Sequence, residues 1–179
     1  MSTALAKQLA TFLHPCGVGI DICQISRIFQ IVGKSPQHTD RFISRVFAKD
    51  DPTIHVVRQK IHETLRSKPE WQLDAANSNG HEMLSQQHPE LWAGARFLAS
   101  RFAAKEAAIK AHSHRKLTFH DISILKAQEG EERLGGRAPY ARIKAASGDE
   151  KDSTALISIS HDGDYAVAVC VAEKAASRE

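Results

Sequence analysis

The chain has 179 residues and a mass of 19.7 kDa, which suits one compact domain and excludes two full ones. Hydrophobic residues make up 42% and charged residues 25%, which excludes wholesale disorder, and no apolar run approaches the roughly 20 residues that span a bilayer. A formal charge of +3 favours anionic partners, while three cysteines without a Cys-x-x-Cys spacing argue against a disulfide framework or a zinc site and favour a reducing compartment.

Residues 1–16 form a leader before the first strand pattern. The leader has one lysine and no acidic residue, and its apolar residues have the spacing of a short amphipathic helix. Mitochondrial targeting segments share this character but are usually rich in arginine, which this leader lacks. We expect a mitochondrial matrix or a cytoplasmic location, with residues 1–16 acting as a targeting segment or as a frayed terminus.

A strand pattern followed by a helix pattern opens the domain. Residues 17–22 alternate between apolar and small or polar residues, which predicts a half-buried strand with Asp21 on its bare, glycine-flanked face. That face leaves space for a ligand or another backbone. The spacing then becomes helical from Ile25 until Gly33, where a helix would end. The apolar face of the strand consists of Val18, Ile20 and Ile22.

The middle of the chain contains a second short helix pattern and a long polar stretch. The second short helix is predicted at residues 40–47. The polar stretch covers residues 51–89, with helical spacing at 54–65 and turn residues at 77–80. We interpret it as an insertion that is partly helical and mobile.

The second half of the chain predicts a long helix and a series of strands. Residues 92–112 lack proline and are rich in alanine, which favours the helix. The last two strand patterns flank a turn at 161–164 and predict a hairpin. Helices mixed with mainly antiparallel strands indicate the α+β class. The strand patterns lie at residues 118–125, 139–143, 155–160 and 165–172.

Two charged residues of the long helix are candidates for chemistry. Leu98, Phe102 and Ile109 lie within about 40° of one another on its surface, and Glu106 lies at the edge of this stripe, where its carboxylate is partly desolvated. Lys110 follows four residues later, a spacing that suits an ion pair. The same pair is also common on solvated helices, so this spacing alone leaves both interpretations open.

Further candidates lie near the first strand and the hairpin. If Asp21 and Glu106 converge, their oxygens suit Mg²⁺, although Asp21 could also face water or cap the following helix. Ser158, Ser160 and His161 offer hydroxyls and an imidazole to a phosphate, or are ordinary edge-strand polarity. A separate basic group could bind an acidic protein or a nucleic acid, or form a solvated face. It consists of Arg27, Arg41 and Arg45.

Three segments together carry a family resemblance. They are GVGIDI at 17–22, RFAAKEA at 101–107 with Lys110 behind it, and ISISHD at 157–162. The chain resembles the holo-[acyl-carrier-protein] synthases, the short stand-alone type of 4′-phosphopantetheinyl transferase. The resemblance implies that family's α+β fold, a mainly antiparallel sheet packed with a long helix, as one domain over residues 17–179 in which 51–89 is an atypical insertion.

The resemblance also implies an enzymatic activity. It is Mg²⁺-dependent transfer of the 4′-phosphopantetheine arm of coenzyme A to a serine of apo acyl carrier protein, which releases adenosine 3′,5′-bisphosphate. By position, Asp21 and Glu106 match the metal-binding carboxylates, and Lys110 matches the lysine that contacts the coenzyme A phosphates. Glu106 is the candidate base, acting directly or through a metal-bound water.

Other positions match binding residues of the family. The resemblance assigns Arg27, Arg41 and Arg45 to the acidic carrier and implies a homotrimer with active sites between subunits, without nucleic acid or membrane as partners. Alternatives are a transferase module of a larger fatty acid synthase and a non-catalytic carrier-binding protein. The glycine-free segment 112–116 departs from the family, so a coenzyme-contacting loop is expected to differ. The remaining coenzyme A-binding positions are Arg101, Pro139, Ser160 and His161.

Overall fold

The computed structural model of the chain describes residues 16–67, 80–126, 138–146 and 151–173. These residues form an α+β fold, as the sequence predicts, and none of their helices is long and apolar enough to cross a membrane. The predicted leader helix lies outside the described residues. In chain order the elements are β1 (Cys16–Gln24), α1 (Ile25–Val32), α2 (Pro36–Val46), α3 (Ile54–Ser67), α4 (His81–Gln87), α5 (Pro89–Ala111), a 3₁₀ turn (Phe119–Asp121), β2 (Ile122–Lys126), β3 (Pro139–Ile143), β4 (Ser153–Asp162) and β5 (Tyr165–Glu173).

The strands form one antiparallel sheet in the order β1-β5-β4-β3-β2. Strand β5 pairs with β1 on one side, with Val171 opposite Val18, and with β4 on the other, with Val171 opposite Leu156. The first strand in the chain therefore lies at the sheet edge beside the last, and chemistry-bearing residues from both chain ends share one sheet.

The long helix α5 packs against one face of this sheet. Pro89 begins it at a position where the missing N–H costs no helical hydrogen bond, and a run of buried alanines gives it a narrow surface. A Cβ added to Gly19 would overlap the carbonyl oxygen of Ala107, and one added to Gly17 would overlap that of Ala111. The bare face of β1 is thus filled by the backbone of α5, which is one of the two occupants that the sequence predicts.

Strand β1 buries its glycine face, whereas the sequence pattern suggests that its apolar face would be buried. Val18, Ile20 and Ile22 are 63%, 60% and 59% exposed in the single chain, whereas Gly17 and Gly19 are buried. The reason is the close approach of α5, which only a side without side chains permits. The apolar side of β1 is therefore turned away from the core.

The helix predictions before α5 are confirmed with shifted ends. Helix α1 ends at Gly33 as expected, and α3 covers the predicted spacing. Helix α2 begins earlier than predicted, because Pro36 occupies its first turn and Ser35 accepts a hydrogen bond from the backbone N–H of His38. The sequence did not predict α4, which has no buried residue and hence no apolar pattern.

The strand predictions are also confirmed, with one shortened. Thr118 and Asp121 form a reciprocal capping box that begins a 3₁₀ turn, so β2 begins only at Ile122. The hairpin turns through Gly163, whose φ of +51° suits glycine. Of the predicted turn at 77–80, only its last residue, which is exposed, lies within the described chain.

Candidate functional site

Helix α5 carries two groups of polar side chains on different sides. At about 100° per residue, Lys110 points about 180° and Glu106 about 140° away from Arg101 around the helix axis. Lys110 turns toward β1, and Glu106 lies about 40° from it around the helix, while Arg101 turns toward the end of the sheet that holds β3 and β4. The predicted site residues therefore fall into two separate groups within one chain.

The first group is built on an ion pair between β1 and α5. Lys110 Nζ lies 2.7 Å from Asp21 Oδ1 and donates a second hydrogen bond of 2.9 Å to the carbonyl oxygen of Ile20. The Asp21 side chain is 16% exposed and that of Lys110 50% exposed, so the pair lies at the rim of the interface. Asp21 thus neither faces bulk water alone nor caps α1, the two other possibilities that the sequence left open.

Glu106 belongs to the same group and lies one turn before Lys110. Since Gly17 lies against Ala111 and Gly19 against Ala107, the same step along β1 puts Asp21 near the level of Ala103, three residues before Glu106 along the helix. The Glu106 side chain is half-buried and makes no hydrogen bond or ion pair with the described residues, while Lys110 pairs with Asp21 instead. Its carboxylate is available to bind a cation or accept a proton.

These two carboxylates are the candidate metal ligands of the chain. No cluster of three histidine, cysteine or acidic side chains suited to a metal ion occurs among the described residues. Two carboxylates without a third protein ligand cannot enclose a cation. They match Mg²⁺, which commonly binds one or two carboxylates and completes its shell with water and substrate phosphate.

The second group lines a cleft of about 410 Å³ between α5 and the sheet. Arg101, Pro139 and His161 all contribute to it, so three of the predicted coenzyme-binding residues converge. Ser160 does not, because alternation along β4 turns it to the outer face of the sheet, in register with Val167. The other lining residues are Ala93, Arg96, Phe97, Ser100, Lys126 and Ile159.

Arg101 is the most unusual side chain of the cleft. It is 8% exposed, its guanidinium lies 4.7 Å from the centre of the Phe97 ring, and its Nε has no hydrogen-bond partner within the described part of the chain. Burial lowers its pKa, and the nearby Asp51 carboxylate partly offsets this. An arginine keeps its charge even so, which leaves a buried cation with an unused donor facing the cleft.

His161 contacts the opposite wall of the cleft. Its Nε2 lies 2.5 Å from Ser100 Oγ, which joins the hairpin to α5. Burial first and the Arg96 charge second lower the pKa of His161, so the ring is neutral at physiological pH. With Arg96, Arg101 and Lys126 as cations and no carboxylate among its described lining residues, the cleft is suited to an anion.

The three arginines of the predicted carrier surface all lie exposed on the first two helices. Arg27 on α1 covers the Phe102 ring at 5.7 Å and donates a 3.5 Å hydrogen bond to Cys23 Sγ. Arg41 and Arg45 lie one turn apart on α2. Their charged groups are accessible to an acidic partner.

Two sets of residues escaped the sequence analysis. Arg96 and Ser100 share the face of α5 that carries Phe97 and Arg101, and their i, i+4 spacing would have indicated a polar stripe. Lys105 lies about 20° from Leu98 around the helix, closer to the apolar stripe than Glu106, and it is fully buried. The helical angle of Lys105 is therefore a signal in the sequence that could have indicated its burial.

Comparison with known proteins gives consistent matches over most of the chain. The profile of the 4′-phosphopantetheinyl transferase superfamily matches residues 17–170. The chain is 36% identical over 161 residues to the holo-[acyl-carrier-protein] synthase of Geobacter metallireducens, with 88% of this chain and 97% of the relative covered. It is 30% identical over 169 residues to 4′-phosphopantetheinyl transferase B, mitochondrial, of Aspergillus fumigatus, with 92% and 98% covered. The crystal structure of the holo-ACP-synthase from Plasmodium yoelii shares the fold, with a TM-score of 0.52 at 20% identity, covering 91% of this chain and 98% of that one.

Proposed function

The chain belongs to the 4′-phosphopantetheinyl transferase superfamily and is a transferase of the holo-[acyl-carrier-protein] synthase type, and from this premise we propose which substrates and residues it uses. The donor is coenzyme A, and the acceptor is a serine hydroxyl of an apo acyl carrier protein. The serine oxygen attacks the phosphorus that bears the pantetheine arm, the bond from that phosphorus to the bridging oxygen breaks, and adenosine 3′,5′-bisphosphate leaves. The serine proton passes to a carboxylate of the enzyme.

The observation that carries this proposal is the buried guanidinium of Arg101 in a cationic cleft, whose Nε has no hydrogen-bond partner among the described residues. A buried guanidinium with an unpaired donor is costly, and an anionic ligand in the cleft lowers this cost by stabilising the buried charge. Coenzyme A carries a diphosphate and a 3′-phosphate, which suit Arg96, Arg101 and Lys126. Pro139 offers an apolar surface for the adenine, and neutral His161 can donate or accept a hydrogen bond.

Asp21, Glu106 and Lys110, which together form the β1 group, supply the chemistry at the diphosphate. Glu106 accepts the serine proton, because its carboxylate is half-buried and uncommitted within the described residues. Lys110 stabilises the negative charge that grows on the leaving oxygen, and Asp21 holds the lysine in place. Asp21 and Glu106 would hold Mg²⁺, which when bound neutralises charge on the diphosphate.

The two groups are separated in one chain, which supports a site shared between subunits. Arg101 and Glu106 point to different sides of α5, so one coenzyme A molecule cannot readily contact both within a single chain. Three apolar side chains of β1 and Leu156 of β4, which is 52% exposed, form an outer sheet face that no described residue of the single chain covers. We therefore propose a homotrimer in which the cleft of one subunit faces the carboxylates of the next. Ser160 lies on that same outer face, where we propose that it contacts coenzyme A at the boundary between two subunits.

The acceptor is recognised through charge. Arg27, Arg41 and Arg45 are exposed and present a basic surface on two neighbouring helices. Acyl carrier proteins are acidic, so complementary charge steers their approach.

The domain covers residues 17–179 with the 51–89 insertion, and the location is the mitochondrial matrix or the cytoplasm. A reporter fused behind residues 1–16 and imaged in cells distinguishes these two locations.

Intact-mass analysis tests the proposal. An apo acyl carrier protein is incubated with the chain and coenzyme A, first with Mg²⁺ and then with a chelator. We expect a mass gain of one phosphopantetheine arm that the chelator abolishes. The absence of any gain with several carriers, while carrier binding persists, would favour the non-catalytic alternative.

A further inference from the structure

The turn of the β4–β5 hairpin contains a carboxylate that the reaction does not use. Asp164 is 9% exposed, although it follows Gly163 at the tip of a two-residue turn, where side chains are normally solvated. Its Oδ2 accepts hydrogen bonds of 2.7 Å from Gln24 Nε2 and 2.6 Å from Ser26 Oγ. Its Oδ1 accepts a 2.7 Å bond from the backbone N–H of Ser26. A buried carboxylate with three such bonds holds one fixed geometry.

These bonds cap helix α1 from the far end of the sequence. Gln24 occupies the N-cap position but makes no side-chain capping bond, and the first turn of α1 has no acidic residue. The backbone N–H of Ile25 donates to the carbonyl oxygen of Asp164 at 2.7 Å, beside the bond from Ser26. Two N–H groups that an isolated helix would leave without a partner are satisfied in this way, and the negative charge lies at the positive end of the helix dipole.

The hairpin that provides this cap also forms part of the cleft. His161 precedes Asp164 by three residues and forms a hydrogen bond with Ser100 on α5. Arg27 directly follows Ile25 and Ser26, the two residues whose N–H groups Asp164 caps. The same turn is therefore tied to the cleft on one side and to the helix that carries Arg27 on the other.

We infer that Asp164 is a positioning residue that fixes helix α1, and with it the carrier-binding Arg27, relative to the cleft of its own chain. The inference rests on the proposed function. Asp164 contacts neither coenzyme A nor the reacting atoms. Its removal frees the N-terminal turn of α1, so it weakens recognition of the carrier and leaves the cleft residues in place.

Steady-state kinetics with two varied substrates tests this role. Asp164→Ala removes all three side-chain bonds, and we expect the KM for apo acyl carrier protein to rise about tenfold while the KM for coenzyme A changes less than about twofold. Asp164→Asn keeps an oxygen that can accept from the Ser26 N–H, so it should recover most of the carrier KM. Asp162→Ala is the matched control, because it removes an exposed carboxylate from the same hairpin.

A double variant separates positioning from general loss of stability. If Asp164 acts through Arg27, the carrier KM of Asp164→Ala combined with Arg27→Ala is no higher than that of the more impaired single variant. The inference would be overturned if the two substitutions multiplied their effects on the carrier KM in the double variant. It would also be overturned if Asp164→Ala, at a temperature where it is folded, raised both KM values equally or left the carrier KM unchanged. Absence of transfer by the unsubstituted chain would instead overturn the proposed function, and this inference with it.

Discussion

Lys105 lies fully buried within the apolar stripe of α5, next to the candidate base. Its Nζ donates hydrogen bonds of 2.9 Å to the carbonyl oxygen of Val46 and 3.0 Å to that of Phe119, and it lies 4.9 Å from the centre of the Phe47 ring. The lysine thereby joins the end of α2 to the turn before β2. Burial lowers its pKa to about 8, the Arg101 charge contributes in the same direction, and Asp51 opposes them.

This lysine makes the stability of the chain depend on pH in the alkaline range. Because the folded-state pKa is about 8 against 10.5 for the free side chain, the unfolded chain binds more protons between these values. The free energy of unfolding, measured relative to Lys105→Met, should rise by up to about 3 kcal/mol from pH 8 to pH 10.5. Denaturant titrations of both proteins across this range measure it. A difference that stays flat or falls with pH would show that folding does not lower the pKa of the Lys105 amine.

Glu106 is predicted to be essential for turnover but not for folding. Glu106→Gln keeps the side-chain volume and removes the charge that would accept the serine proton and hold Mg²⁺. We expect kcat to fall at least about a hundredfold with an unchanged melting temperature. Intact-mass time courses give the rate, and Glu90→Gln, in the first turn of α5, is the control for a neutralised carboxylate on the same helix. Near-normal turnover would remove Glu106 from the reaction.

Arg101 is predicted to contribute to coenzyme binding at the expense of stability. Arg101→Met keeps the buried bulk and removes a cation whose Nε has no partner among the described residues. The Kd for coenzyme A should rise about 10- to 100-fold, while the melting temperature of the free protein should not fall. Calorimetric titration and thermal unfolding measure the two effects. Arg66→Met, an exposed charge loss on α3, is the control; a large fall in stability with unchanged coenzyme affinity would make Arg101 purely structural.

At the scale of elements, the contact between β1 and α5 depends on glycine. A Cβ on Gly19 would meet the backbone of Ala107 and Ala111, which cannot move aside as a side chain can. We expect Gly19→Ala to lower the free energy of unfolding by about 1–3 kcal/mol or more, since overpacking forces backbone shifts. Gly80→Ala is the control, because no atom of the described residues lies within 4 Å of its added Cβ. Chemical denaturation measures both, and equal stabilities would mean that α5 shifts without cost.

The predictions from sequence succeeded where the pattern is local and failed where it depends on a neighbour. Helical periodicity and alanine content predicted α5, and the turn residues predicted the hairpin. The buried side of β1 could not be read from its alternation, because glycines at the helix contact leave the apolar residues Val18, Ile20 and Ile22 outside. The capping of α1 by Asp164 joins residues 138 positions apart, so no local pattern in the sequence contains it.

The candidate site shows the same division. The motif around Glu106 and Lys110 predicted the β1 group, and the structure brings Lys110 and Asp21 together. The cleft required the fold, because Arg96 and Lys126 come from a helix and a strand whose sequences show no common motif. The different directions of Arg101 and Glu106 follow from helix geometry alone, but only the fold shows which strands lie near each of them.

For the whole molecule, a shared active site makes a quantitative prediction about mixed assemblies. Arg101→Met impairs the cleft and Glu106→Gln impairs the carboxylates, so each variant alone should be nearly inactive at low coenzyme A concentration. If the cleft of one subunit works with the carboxylates of the next, random mixed trimers contain intact sites wherever a Glu106→Gln subunit contributes the cleft and an Arg101→Met subunit contributes the carboxylates. With equal amounts of both, this holds for about one quarter of the sites in all random trimers, and for about one third of the sites in the mixed trimers that carry both variants. Co-expression with two affinity tags, tandem purification and intact-mass assay should therefore recover transfer well above the sum of the single variants. If each chain instead holds a complete site, every subunit in the mixture carries one defect, and the activity stays at that sum.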